Sequence, residues 1–268
     1  MQSPRSPDCG RGYQTKRPDS ALAAGNPRRP LVCYDQRTMH EPSSSATLEA
    51  PHSAVPLRVL QLGLVPYEDA LINQRQLHQA RVVDEIPDTL ILVEHPHVFT
   101  LGRNSDPAHI LVDEATMRDR AISVSRIERG GEVTYHGPGQ LVAYPIIKLG
   151  PQERGIASLV WRLEETIIRT LADWGVAARR DPSDRGVWAG AAKIASIGMS
   201  LRRWVVLHGM ALNVAPDLTY FNHINPCGHP GLRMTSIVQE LDRPVEAPAV
   251  AISFISHFCS VFERYGVQ

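Results

Sequence analysis

The sequence predicts a mixed α/β domain of the α+β kind, and three observations carry that reading. Apolar runs of strand length recur between residues 57 and 214. One long amphipathic helix pattern, 156–174, stands among them. Strands and helices do not alternate in the regular βαβ order that builds an all-parallel sheet, so the sheet is expected to be mixed or antiparallel.

Residues 57–64 are apolar-rich and read as a strand. Pro66 suits the first position of a helix, and Tyr67, Ala70, Leu71, Gln74 and Leu77 follow at helical spacing. Residues 89–93 form a continuous Leu and β-branched run, which is the pattern of a buried strand. Residues 98–101 form a second strand that ends at Gly102. In 121–127, apolar Ile122 and Val124 alternate with Ser123 and Ser125, the pattern of a half-buried strand. Residues 140–149 make another strand, where Pro145 predicts an edge or a bulge. The helix 156–174 aligns Ile156, Leu159, Val160, Leu163, Ile167, Leu171 and Trp174, and Gly175 suits the position past its end. Strands follow at 193–201 and 204–214, the second interrupted at His208-Gly209. Pro248 opens a last helix, with Ile252, Ile255, Cys259 and Phe262 on one face.

Residues 1–55 differ from the rest. They hold seven Pro and seven Ser but only nine large apolar residues. Such a composition buries too little surface to offset the entropy of ordering, so this leader is expected to be disordered. It lacks the apolar middle of a secretory signal, its five acidic residues argue against a transit peptide, and Met39 offers a second start site. The folded domain is expected at 56–268. The chain has 28 basic and 28 acidic residues. The leader carries +2 of that balance and the domain −2, which argues against binding nucleic acid through a broad basic surface. No run approaches the roughly 18 apolar residues of a membrane span, and four Cys are too few for a disulfide scaffold.

Three segments carry candidate chemistry. In Arg129-Gly130-Gly131-Glu132-Val133-Thr134-Tyr135-His136, continued by Gly137-Pro138-Gly139, the glycines allow the backbone to approach a ligand closely. Phosphate-loop and dinucleotide-binding patterns are both absent. From the pattern alone the segment reads equally as a glycine-rich turn between strands. In the second segment, Lys193 stands alone among small and apolar residues up to Ser196-Ile197-Gly198. A buried lysine there is usable for proton transfer, and a lysine that snorkels to water fits as well. The third segment is His208-Gly209-Met210-Ala211 with Asn225-Pro226-Cys227-Gly228, where Cys227 lies in a loop, as an accessible thiol would. Cys259, on an apolar helix face, reads as a small core residue. His223, Cys227 and His229 are ligand types, but their spacing lacks the paired pattern of a zinc site and no metal is expected. His95 and His97 read as loop or strand-end residues.

RGGEVTYHGPGQLVAYPI, KIASIGMSLRRWVVLHGMALNV and NPCG, in this order, resemble the lipoyl(octanoyl) transferases, the lipoate-protein ligase B family. The resemblance covers residues 59–236 and extends toward the last helix. It implies a biotin/lipoate protein ligase-like catalytic domain, with a large and a small sheet flanked by helices. It implies transfer of an octanoyl group from octanoyl-acyl carrier protein to a lysine on lipoyl domains. The acceptors would be 2-oxoacid dehydrogenase complexes and the glycine cleavage H protein, in the cytoplasm. By the same resemblance Cys227 is the acyl-thioester nucleophile and Lys193 lowers its pKa. The acyl substrate lies along Arg129 to His136, Ser196 to Gly198 and Gly209 to Ala211. No ATP, metal or other cofactor is implied. His229 departs from the family, which often has an apolar or aromatic residue there, and this bears on the rim of the acyl pocket.

The chemistry is consistent with that implication. A free thiol is only a few per cent thiolate at neutral pH, and a neighbouring cation raises that fraction. Backbone N–H groups near Cys227 and Gly198 are candidates for an oxyanion site. Arg202 and Arg203 are equally a carrier-docking pair or a solvated strand end. Three rivals remain at this stage: an ATP-dependent lipoate ligase, a catalytically silent binding protein and a cysteine hydrolase.

Overall fold

The computed structural model describes residues 55–267, and of Cys227 only the backbone. The predicted leader, save its last residue, lies outside the described residues. The elements run β1 (Val55–Leu64), α1 (Tyr67–Val82), β2 (Asp88–Glu94), β3 (Val98–Leu101), α2 (Glu114–Asp119), β4 (Ser123–Arg126), β5 (Val133–His136) and β6 (Gln140–Ile146). They continue with α3 (Ile156–Asp173), β7 (Ala178–Arg180), β8 (Gly186–Ala189), β9 (Ala192–Arg202), β10 (Val205–Asn213), α4 (Ile237–Leu241), α5 (Ala247–Phe262) and β11 (Arg264–Val267).

Eight strands form the large sheet in the order β11-β1-β2-β6-β10-β9-β8-β7, and β4-β3-β5 form the small one. The large sheet is mixed, as expected: β1 runs parallel to both β11 and β2, and the remaining pairs are antiparallel. Both faces of its centre are buried, which explains the unbroken apolar run in β2. Leu90 and Leu92 face one way, into a core with α3 and α5. Ile91 and Val93 face the other, into a core with α1. A third cluster, around Phe99, Tyr135, Tyr220 and Phe221, packs the small sheet. Among the described residues no helix is long and apolar enough to cross a membrane.

The structure corrects four details. Val124 is exposed and Ser125 buried, the reverse of the expected alternation. Ala121, at φ +51, turns the chain between Ile122 and the helix before it, so Ile122 precedes the strand and does not set its parity. Ser125 then pairs across from Thr100 and donates to Glu68. Pro145 lies on β6, in the middle of the sheet and not at an edge. The β6–β10 ladder stops at Ala143–Met210 and resumes beyond the proline, where Val206 N donates to Ile147 O. The proline's missing N–H falls in that gap. In α3 the stripe is buried from Leu159 onward, but Ile156, in the first turn, is exposed. In α5 the buried face is Val250, Ala251, Phe254, Phe258 and Phe262, because the three rings pack toward α3. Ile252 points to solvent, and Ile255 and Cys259 flank the face. Burial pushes the Cys259 thiol pKa up.

One buried charge ties the end of α1, the segment after β6 and β11 together. Asp88 is fully buried and accepts from Arg81 Nε (2.7 Å), Lys148 N (2.9 Å) and Arg264 Nε (2.9 Å), while Arg264 also donates to both Glu153 carboxylate oxygens. Removing the carboxylate leaves two guanidinium groups facing an empty acceptor position. Asp88→Ala is therefore expected to lower unfolding stability by about 3–5 kcal/mol, measured by urea denaturation. His95 is also fully buried. Its Nδ1 donates to Val65 O (2.7 Å) and its Nε2 accepts from Tyr144 Oη (2.8 Å). Burial pushes its pKa down to about 4. An unfolded histidine, near 6.5, takes up a proton first, so this contribution is complete above about pH 6.5 and is lost as the pH falls toward 4. The thermal midpoint should drop over that window, and less steeply in His95→Gln. An identical slope in both proteins would exclude His95 as a source of the drop.

Candidate active site

A cavity of about 310 Å³ is lined by the segment leading into β5, by β6, β9 and β10, and by the loop 183–185. Of the residues singled out in the sequence, Arg129, Gly130, Gly131, Glu132, Val133, Thr134, His136, Ser196, Ile197, Gly198, Gly209, Met210 and Ala211 all line it. Tyr135 does not. Its ring stacks on Tyr220 within the aromatic core of the small sheet, and its hydroxyl meets His97 Nδ1 at 2.9 Å. Alternation along β5 puts it on the face opposite Thr134 and His136.

The strand pair β9–β10 forms one wall. Gly198 pairs directly with Gly209. A Cβ on Gly209 would stand 2.1 Å from Ala143 O, and one on Gly198 would stand 2.9 Å from Arg129 Cδ, so neither position accepts a side chain. Arg129 is buried against this wall. Its Nη2 donates to Thr100 O (2.6 Å) and Thr100 Oγ1 (2.9 Å), and Gly130 N donates to Met199 O (3.0 Å). Arg129 thus pins the glycine-rich loop between the two sheets.

Lys193 is fully buried, against the snorkelling alternative, and its Nζ donates to Asp184 Oδ2 at 2.7 Å. Asp184 in turn lines the cavity. The lysine stem crosses Gly186, where a Cβ would lie 2.6 Å from Lys193 Cε, and the ammonium lies 5.6 Å from the centre of the Trp188 ring. The backbone of Lys193 is held by the segment after Cys227: its N donates to Arg233 O (2.8 Å) and its O accepts from Thr235 N (3.0 Å). Side-chain hydrogen bonds then run from Asn213 Nδ2 to Thr235 O (2.9 Å), from Gln140 Nε2 to Asn213 Oδ1 (3.0 Å) and from His136 Nδ1 to Gln140 Oε1 (3.1 Å). This chain connects the lysine end of the site to β5.

The Cys227 side chain lies outside the described residues. Its backbone belongs to the 3-10 turn Pro226–Gly228, closed by Gly228 N donating to Asn225 O (3.0 Å). That turn sits beside the cavity, since a Cβ on Gly228 would stand 3.2 Å from Cγ of cavity-lining Glu132. His229 is exposed. Arg202 and Arg203 are exposed at the other end of β9, nine residues from Lys193, about 30 Å along a strand. Among the described residues no group of three or more His, Cys, Asp and Glu is placed to hold a metal ion.

The sequence reading missed Tyr67, Tyr144 and Asp184, which also line the cavity, as does His208 at the head of the third segment, to which the sequence assigns no role. Tyr67 was assigned to a helix face and Tyr144 to a strand, and neither pattern says what that face meets. Asp184, in the Asp-Pro-Ser-Asp-Arg-Gly turn, was the most readable of them, as an acid close to a lone lysine. Burial, together with the positive fields of His95 and Arg129, pushes the His136 pKa down to about 3. Burial pushes that of His208 down to about 4 despite the Glu128 carboxylate.

The lipoyl protein ligase A/B catalytic domain family matches residues 66–259. An octanoyltransferase of Syntrophobacter fumaroxidans is 43% identical over 206 residues, covering 77% of this chain and 90% of that protein. An octanoyltransferase of Gloeobacter violaceus is 49% identical over 218 residues, covering 78% and 90%. Among solved structures, a lipoate-protein ligase A bound with ATP shares the fold with a TM-score of 0.61 at 20% identity, covering 79% of this chain and 89% of that one. A bi-partite lipoate protein ligase from Thermoplasma acidophilum gives 0.61 at 18%, covering 80% and 88%. The arrangement of a large and a small sheet flanked by helices is thus that of the lipoate-protein ligases, and the chain belongs to the octanoyltransferases, a family of acyltransferases.

Proposed function

We propose that this chain transfers an octanoyl group from octanoyl-acyl carrier protein to a lysine of lipoyl domains through an acyl thioester on Cys227. The lipoyl domains of 2-oxoacid dehydrogenase complexes and the glycine cleavage H protein are the acceptors, and the cytoplasm is the site of action. The observation that supports the reading best is the placement of Lys193. It is a buried cation, ion-paired at 2.7 Å to cavity-lining Asp184, in a strand held by the segment that follows Cys227.

In the first half-reaction the Cys227 thiolate attacks the thioester carbonyl. The carrier sulfur leaves as a thiolate and takes a proton from the Lys193 ammonium. In the second, the acceptor amine attacks the acyl-Cys227 carbonyl and loses its proton to Lys193, and the Cys227 thiolate departs as the amide forms. The exchange of one thioester for another is nearly balanced in energy, and the amide makes the second step downhill. The reaction as proposed needs neither ATP nor a metal. Arg129 to His136 (Tyr135 apart), Ser196 to Gly198 and Gly209 to Ala211 enclose the acyl chain.

Mixing the protein with octanoyl-carrier protein and an apo lipoyl domain tests this. Octanoyl amide should form without ATP, and intact-mass measurement before the acceptor is added should find one octanoyl adduct on Cys227. Modification only with ATP and free lipoate would point to a ligase, and release of free octanoate would point to a hydrolase. Cys227→Ala should abolish both adduct and transfer. Lys193→Ala should slow transfer by about 10²–10⁴-fold and shift the pH profile of Cys227 alkylation upward between pH 6 and 9. An alkylation profile that does not move would separate the two residues. Gly186→Ala adds a Cβ against the lysine stem at a backbone φ of +135°. It should lower kcat far more than it raises KM, and a melting curve reports how much of the loss is folding.

A further inference from the structure

Asp184 lines the cavity but has no part in the two half-reactions described above. Its Oδ2 accepts from the fully buried Lys193 Nζ at 2.7 Å, and its own side chain is 17% exposed. It comes from the loop 181–185 between β7 and β8, and that loop is fixed at both ends. Ser183 N donates to Asp181 Oδ1 at 2.9 Å, and Gly186 N donates at 3.1 Å to Oε1 of Glu164, a buried residue of α3. The lysine stem lies close over the same loop end, since a Cβ on Gly186 would stand 2.6 Å from Lys193 Cε. Carboxylate and lysine thus meet from two anchored supports, unlike a surface pair on long mobile side chains. Replacing a buried ion pair by apolar side chains is often neutral or stabilising, so stability alone does not account for this one.

We propose that Asp184 is a positioning residue for the second half-reaction: it holds Lys193 Nζ in place and is the counterion of the ammonium that forms there when the acceptor amine gives up its proton. The proposal rests on the octanoyl-transfer reading of this site and deepens it. In the acyl-enzyme Cys227 is a thioester and carries no charge. As the acceptor nitrogen bonds to the acyl carbon, its proton passes to Lys193 Nζ. The carbon–sulfur bond then breaks, and its electron pair leaves with Cys227 Sγ. The new ammonium forms away from solvent and before the thiolate has departed. Desolvation disfavours such a cation unless an anion stands beside it, and the Asp184 carboxylate is already at hydrogen-bond distance. The first half-reaction moves a proton the other way, from Lys193 to the carrier sulfur, so the same carboxylate gives it no such help. A base oriented by a third group is the arrangement that serves activated nucleophiles on many folds.

Single-turnover mixing with an intact-mass readout separates the two steps: formation of the octanoyl adduct from octanoyl-carrier protein, and its passage to an apo lipoyl domain. Asp184→Asn keeps the shape of the side chain and removes its charge. It should slow passage of the adduct by roughly 10- to 150-fold, the worth of a hydrogen bond to a charged group, and slow adduct formation far less. Asp184→Glu keeps the charge and should pass the adduct on faster than Asp184→Asn. In a Lys193→Ala background Asp184→Asn should change the passage step little, because the carboxylate acts through the lysine. Should Asp184→Asn fail to fold, Asp184→Ser is a second neutral variant with the same expected split. Equal slowing of both steps would mark a structural brace and overturn the proposal. Equal passage rates in the Asn and Glu variants would do the same, and so would full additivity with Lys193→Ala. No adduct on Cys227 of the unsubstituted protein would sink the thioester reading itself, whereas an adduct that Asp184→Asn passes on at the native rate would sink this role alone.

Discussion

The pairing of Gly198 with Gly209 is the constraint on which the site depends. Two adjacent strands of the large sheet carry no side chain at the same level. The bare surface this leaves is filled by Arg129, whose guanidinium bonds back to the small sheet at Thr100. The contact holds the two sheets at a fixed separation, and the cavity is the space left beside it. A methyl group on either strand would push out the arginine or the neighbouring β6 backbone. The glycine-rich loop thus owes its place less to its own flexibility than to the smoothness of the wall it lies on.

The lysine end is rigid for a different reason. Lys193 is on a strand edge where β10 has ceased to pair, and residues 233–235 take over as its neighbour. Its stem lies close over Gly186, and its ammonium is held by Asp184 near the Trp188 ring. The bonds through Thr235, Asn213, Gln140 and His136 join that end to the small sheet. Groups that must meet a reacting carbonyl within tenths of an ångström are better held by such cross-bracing than by a single loop.

Much of this was legible in the sequence, and the reasons for the exceptions are physical. β2 and α3 were readable because burial on two faces, or on one stripe, writes a periodic pattern. The α5 face was misplaced because that helix is apolar nearly all round, so periodicity does not choose between Ile252 and Phe254. The parity of β4 failed because Ile122, just past the positive-φ turn at Ala121, lies before the strand begins at Ser123, so its burial does not set which strand residues face inward. In the site, the glycine-rich loop and the lone lysine were visible as local departures from ordinary composition. Tyr67 and Tyr144 were not, since each looks unremarkable on its own element and becomes part of a cavity only when α1 and β6 converge with β10. The Asp184–Lys193 pair joins residues nine positions apart, across a tight β8–β9 turn that the strand pattern did not resolve.

The strand order also has a consequence for biosynthesis. β1 is the first described element and β11 the last, yet they are neighbours in the sheet, and Arg264 at the start of β11 completes the hydrogen bonding of Asp88 at the start of β2. Until residues 264–267 have emerged from the ribosome, β1 presents an unpaired edge and Asp88 lacks one of its guanidinium partners. This is the situation in which nascent chains aggregate or recruit chaperones. Pairing of the earliest and latest described strands thus waits on residues far apart in synthesis, and folding yield, more than final stability, is where slow translation through 264–267 would register.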